Sequence, residues 1–249
     1  MSFRLIFEIE PPRIPDLGKV AAQIDIFGPI VDAILVPDNH LGLPAMSSLT
    51  IALEIAKRGF HPIVALNARD RNHLRFKSDI LTLNAYGIHE VLFLYGDPID
   101  HGRSSLKVKQ MLSDPVVAST KRGVAATIGK PLGWRASADF LFTQLEFGRG
   151  KAGYWREAEG FSQPVYCGVI ALPDLVLARK VIGNIPGLEP PPGFFESFSD
   201  DPDAGFHAAI SELDDLYRSG VDGAQLVVPA GRRRFAAMLE GWIADRGIR

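Results

Sequence analysis

The sequence predicts a (β/α)8 barrel, and three observations carry that prediction. Eight short apolar runs of strand-like composition recur along the chain. Helical stretches or short links separate them. The length, 249 residues, is what one such barrel takes. The runs span 4–9, 33–37, 62–67, 90–96, 124–128, 140–145, 165–171 and 224–229. An open doubly wound sheet is the alternative, because alternation alone does not separate the two architectures.

Each element has its local reason. The first run, "RLIFEI", carries Glu8 at its end, and Glu10 follows before Pro11 and Pro12 stop further ladder pairing. The stretch 47–59 spaces its apolar residues by three and four, and Gly59 supplies a helix stop. The third run, "PIVALN", leads into Asn67, Arg69 and Asp70, and Asp70 is expected to cap the helix that follows. The fourth run carries Tyr95 and ends at Gly96, directly before Asp97. The fifth contains Thr127 and is followed by Lys130 and Trp134. The sixth, "FLFTQL", places Gln144 near its end. Proline- and glycine-rich composition over 184–205 reads as a long loop. A second amphipathic helix over 207–220 ends on a glycine. The run Arg232, Arg233 and Arg234 opens the last helix and reads as a solvated face, one that would also suit a polyglutamate tail. Nothing divides the chain, so residues 1–249 are expected to form one domain.

Composition excludes several classes of function. With 47% hydrophobic residues and a net charge of −2, the chain has core-forming capacity and no bulk attraction to nucleic acid or an anionic membrane. A single cysteine, Cys167, rules out an intrachain disulfide and suits a reducing compartment. No apolar run is long enough to span a bilayer, and the acidic beginning does not read as a signal peptide. A cytoplasmic location is the expectation. The histidines lack ligand spacing, so no metal site is expected.

In a (β/α)8 barrel, reacting groups sit at the carboxyl ends of the strands. Glu8, Asn67, Asp97 and Gln144 all have that address. Strand-end Asp and Asn also serve as turn formers and caps. Glu8 and Gln144 are not favoured turn residues, so a site is the stronger reading for them. The glycine pattern "GRGKAG" (148–153) fits a dinucleotide fingerprint, but it stands alone and reads as a rim loop. Phe147, Trp134 and Tyr166 suit ring stacking but more often pack a core.

Four stretches carry a resemblance: "FEIEPP", "RDRNHLRFKSDILTLNAYGIHEVLFLYGDP", "FLFTQLEF" and "VIALPD". In order and spacing they resemble the methylenetetrahydrofolate reductase family over nearly the whole chain. The resemblance implies a (β/α)8 barrel that reduces 5,10-methylenetetrahydrofolate in one-carbon metabolism, toward methionine biosynthesis. It places Glu8 at the family's catalytic acid, Asp97 at its Gly-Asp-Pro aspartate and Gln144 at its folate-binding glutamine. Ring opening requires a proton at N10 and leaves a cationic iminium at N5. Glu8 is the candidate acid, and Asp97 would offset the cation. Asp97 and Gln144 match the pterin's paired donors and acceptors, and Asn67 is a further candidate contact.

The family's FAD contacts fare differently. The resemblance puts its flavin histidine at Ala65, its tyrosine at Thr127 and its arginine at Tyr95. Only 11 residues separate Ile128 from Phe140, too few for the family's loop and phosphate-facing helix. The expectation is therefore an NADH- or NADPH-dependent reductase in which FAD is absent or weakly held. Thr127, Lys130 and Tyr95 are its candidate cofactor contacts, and a tetrahydrofolate, polyglutamylated or not, is its small-molecule partner. Two alternatives stand beside it. One is a conventional FAD enzyme with substitute contacts such as Lys130 or Trp134. The other is a non-catalytic folate-binding subunit.

Overall fold

A computed structural model describes residues 3–39, 42–96, 106–148, 151–185 and 187–248, with the side chain of Lys151 left out. The strands are β1 (Arg4–Glu8), β2 (Ala33–Val36), β3 (Pro62–Asn67), β4 (Glu90–Leu94), β5 (Lys121–Ala126), β6 (Phe140–Leu145), β7 (Val165–Ile170) and β8 (Gly223–Val227). The helices are α1 (Leu17–Phe27), α2 (Ser48–Lys57), α3 (His73–Ala85), α4 (Val108–Ser113), α5 (Lys151–Glu159), α6 (Leu175–Asn184), α7 (Ala204–Arg218) and α8 (Arg232–Arg246). The strands pair in parallel in chain order, and β8 closes on β1, so the barrel is complete and the open-sheet alternative falls.

Alternation along each strand divides the apolar residues between two cores. Ile6, Leu35, Ile63, Leu92, Phe140, Phe142 and Tyr166 fill the barrel interior. Their neighbours, such as Phe7, Ile34, Val64 and Leu141, face the helices. Gly123 makes the interior packing possible, since a Cβ there would lie 1.9 Å from the Phe140 ring.

Strand limits follow the apolar runs, with one instructive difference. The structure begins β5 at Lys121, three residues before the apolar run, because Lys121 and Arg122 are held by Glu90 and Asp139. The helix after β3 is capped by Asn72, which accepts from the Arg75 amide at 2.8 Å, so the expectation that Asp70 caps it is corrected. Asp70 is instead drawn into a rim network. Gly59, at φ +83°, ends α2 as the sequence indicated. Cys167 is buried in the core. A five-residue 3-10 turn, Gly133–Ser137, is the only helical element among the described residues between β5 and β6. The long loop carries a further 3-10 turn, Glu196–Ser199. Its Phe194 and Leu188 pack with Ile170, Leu145, Phe147 and Val227 over the β7–β8 side of the barrel. No described helix is long and apolar enough to cross a membrane.

Candidate functional site

The carboxyl ends of the strands form a mouth into which polar side chains project. Ile6 and Phe142 belong to the barrel interior, and Glu8 and Gln144 lie two residues further along the same strands. By the two-residue period of a strand Glu8 faces inward at the rim, whereas β6 shifts register between Phe142 and Leu145, so Gln144 is placed by the cavity it borders. Glu8 is half-buried and Gln144 exposed.

Glu8 is met by Gln225, whose Nε2–H donates to Glu8 Oε2. Gln225 stands on β8 beside Ile6, so the register brings together residues 217 positions apart. Sequence reasoning missed Gln225. Its signal was a lone amide inside the apolar run "AQLVVP".

The segment after β1 is pinned as well. The buried Gln23 amide accepts from Glu10 N at 2.9 Å and donates to Glu10 O at 3.0 Å. The exposed Glu10 carboxylate pairs with Arg232 at 2.5 Å, and Arg234 pairs with Asp203 at 2.7 Å. Two of the three consecutive arginines are thereby occupied in the fold.

Asn67 has a different role from the ligand contact expected of it. It is 1% exposed. Its amide donates to Asp38 Oδ2 at 2.7 Å and Asp70 Oδ2 at 2.9 Å, while Oδ1 accepts from Asp70 N at 2.8 Å. Asp38 also takes Arg71, which reaches Asp79 at 2.9 Å. Arg69 hydrogen-bonds Asp70 at 2.6 and 2.7 Å. Against the cost of burial, those bonds and the Asn39 and Asn67 amides hold the Asp70 carboxyl well below the usual carboxylate range. Asn67 thus organises the β2–β3 rim and spends its hydrogen-bonding capacity inside the protein.

Across the mouth from Glu8, a cavity of about 160 Å³ opens between β4, β5 and the 3-10 turn. Tyr95, Thr127, Trp134, Arg135 and Gln144 border it. Trp134 and Tyr95 meet edge to face with centroids 6.5 Å apart. Lys130 is exposed and does not border the cavity; its carbonyl accepts from Trp155 Nε1 at 3.1 Å. Phe147 packs against Phe194, and Tyr166 packs inside the barrel, so these two rings serve cores. Asp97, Arg149 and Gly150 lie outside the described residues.

The residues present do not fit an isoalloxazine. Three fused rings exceed a cavity close to the 150 Å³ that accommodates benzene. Ala65, at the family's flavin-histidine position, is 1% exposed inside the barrel wall. Among the described residues no group of His, Cys, Asp and Glu is arranged to hold a metal ion.

No protein-family model matches the sequence, and no curated protein matches it. Solved structures do. An uncharacterized protein from Clostridium thermocellum that binds two copies of 5-methyl-5,6,7,8-tetrahydrofolic acid matches with a TM-score of 0.67 at 12% identity, covering 98% of this chain and 95% of that one. Tryptophan synthase from M. tuberculosis, in an open form with BRD0059 bound, matches with a TM-score of 0.56 at 15% identity, covering 98% and 92%. Likeness at such identities speaks for the shared fold.

Proposed function

We propose that this chain reduces 5,10-methylenetetrahydrofolate to 5-methyltetrahydrofolate with NADH or NADPH, the hydride passing directly to the folate carbon. One observation carries the reading: an acid on β1 and a carboxamide on β6 both stand at the carboxyl-terminal end of one closed barrel. The Clostridium thermocellum protein supports it, since the molecule it binds is the product of this reaction.

In this reading Gln144 presents its amide to the pterin edge, where donor and acceptor are matched by the ring's own pair. Glu8 gives a proton to N10. The C–N10 bond breaks, its electron pair stays on nitrogen, and the carbon remains joined to N5 as an iminium. Hydride from the nicotinamide C4 then completes the N5-methyl group and leaves the oxidised nicotinamide. One proton and one hydride enter, so the step balances. Gln225 holds Glu8 Oε2 through its N–H, which orients the carboxyl. FAD is given no step, because the residues where the resemblance would place it do not suit it.

The test is a spectrum and an assay on one untreated preparation. The expected result is no flavin absorbance, together with NADH or NADPH oxidation that depends on 5,10-methylenetetrahydrofolate. Stoichiometric flavin with turnover would return the chain to the FAD-dependent reading. Folate binding without turnover would favour the non-catalytic subunit.

A further inference from the structure

The cavity between β4, β5 and the Gly133–Ser137 turn combines a size and a charge that the proposed function leaves unused. At about 160 Å³ it takes one six-membered ring, whereas a two-ring pterin would overfill it. Its cation is Arg135. The guanidinium is fixed by an Nε–H donated to Ala125 O at 2.9 Å and lies 4.7 Å from the centre of the Trp134 ring. Among the described residues no carboxylate pairs with it, in contrast to Arg4, Arg71, Arg122, Arg156 and Arg232, which all have acidic partners. A planar cation held at a ring-sized cavity, with its Nη groups unspent on acids, is suited to an anion attached to a ring. Thr127 and Gln144 add hydrogen-bonding groups at the same border.

We propose that this cavity seats the nicotinamide ring of NADH or NADPH, with Thr127 at its carboxamide and Arg135 at a phosphate. The inference rests on the direct-transfer reading, in which hydride donor and folate occupy the mouth together. In the closed strand order β5 stands opposite β1, so the cavity and Glu8 stand on opposite walls at the same end of the barrel. The p-aminobenzoylglutamate tail of the folate also joins one ring to an anion. That ring is substituted at both ends, however, whereas nicotinamide is a terminal ring that enters with one edge leading.

The experiment is a pair of titrations by calorimetry, NADH or NADPH in one and 5-methyltetrahydrofolate in the other. They are run on the wild-type chain and on Arg135→Gln, Arg135→Lys and Tyr95→Ala. Tyr95 is 54% exposed, so its removal tests the cavity wall with little demand on folding. The nicotinamide Kd should rise about tenfold in Arg135→Gln, the loss of one charge-assisted contact, and recover in part in Arg135→Lys. Tyr95→Ala should weaken nicotinamide binding as well. The folate Kd should stay unchanged in all three variants, which also reports that they are folded. Loss of folate affinity in Arg135→Gln with nicotinamide binding intact would assign the cavity to the folate tail and overturn the inference. Unchanged nicotinamide binding in Arg135→Gln and Tyr95→Ala would overturn it too, leaving direct transfer in place. A wild-type chain that binds neither NADH nor NADPH would overturn both.

Discussion

The two ends of this barrel each hold an inward-facing acid, and they hold it in opposite ways. At the amino-terminal floor, Glu90 meets Arg4 at 2.8 Å, Lys121 at 2.9 Å and His61 at 3.5 Å. Tyr166 and Phe140 lie beneath the Arg4 and Lys121 cations. Burial works against the Glu90 charge, but His61, Arg4 and Lys121 outweigh it and bring its pKa down to about 2. At the carboxyl-terminal mouth, Glu8 is met by the neutral Gln225 amide. A carboxylate surrounded by cations is a structural charge that keeps its proton off. An acid reached by an amide gains a fixed direction from a neutral donor. In the proposed reading the floor serves stability and the mouth proton transfer, the division of labour expected of this fold.

The sharpest way to break the comparison is to neutralise each acid in turn. Glu8→Gln keeps the shape and removes the proton donor. Turnover of 5,10-methylenetetrahydrofolate should fall by roughly 10²–10⁴-fold, the usual worth of a general acid. Melting temperature and folate affinity should change little. Steady-state kinetics beside a thermal melt check this, and a variant that keeps its rate would remove Glu8 from the chemistry.

Glu90→Gln should do the reverse. Removing the shared acid leaves Arg4 and Lys121 without their partner, a cost of about 3 kcal/mol for a largely buried group. Per folded molecule, kcat should be unchanged. The pH dependence has a definite sign. The folded pKa lies below the ordinary carboxylate value, so the contribution is present above roughly pH 4.5 and is lost as pH falls toward about 2. Urea unfolding at pH 7 and pH 3.5 should therefore show a smaller gap between wild type and Glu90→Gln at the lower pH. An equal gap at both would mean that the floor network does not carry the stability.

The sequence revealed the mouth better than the floor, for a physical reason. Glu8 is legible because an acid at the end of an apolar strand has a recognisable address, and Gln144 because an amide interrupts "FLFTQL". All eight strands were legible, β3 and β6 to the residue, because barrel strands bury both faces and read as continuous apolar runs. What stayed hidden depends on register between distant strands. Lys121 looked like a loop residue until Glu90, 31 positions away, drew it into β5. Asn67 and Asp70 looked like ligand contact and cap, but contacts to Asp38 and Asn39, about 30 positions earlier, made them rim structure. Composition cannot encode such pairings, because each member is an ordinary polar residue until the barrel closes.

Gln225 tests the mouth half of the comparison most finely. An N–H donated to a carboxylate orients it and favours its ionised form. Gln225→Leu keeps the volume near the Ile6 layer but deletes the donor, so Glu8 loses its fixed direction while retaining its acid. The expected loss in kcat is about tenfold, well short of that in Glu8→Gln, with KM for the folate nearly unchanged. The distinguishing readout is the split between kcat and KM, with rescue by a shorter amide. Gln225→Asn should recover part of the lost kcat at unchanged KM. A merely structural role would lower folate affinity and melting temperature together with the rate. Equal losses in Gln225→Leu and Gln225→Asn would show that the amide packs the mouth without positioning its acid.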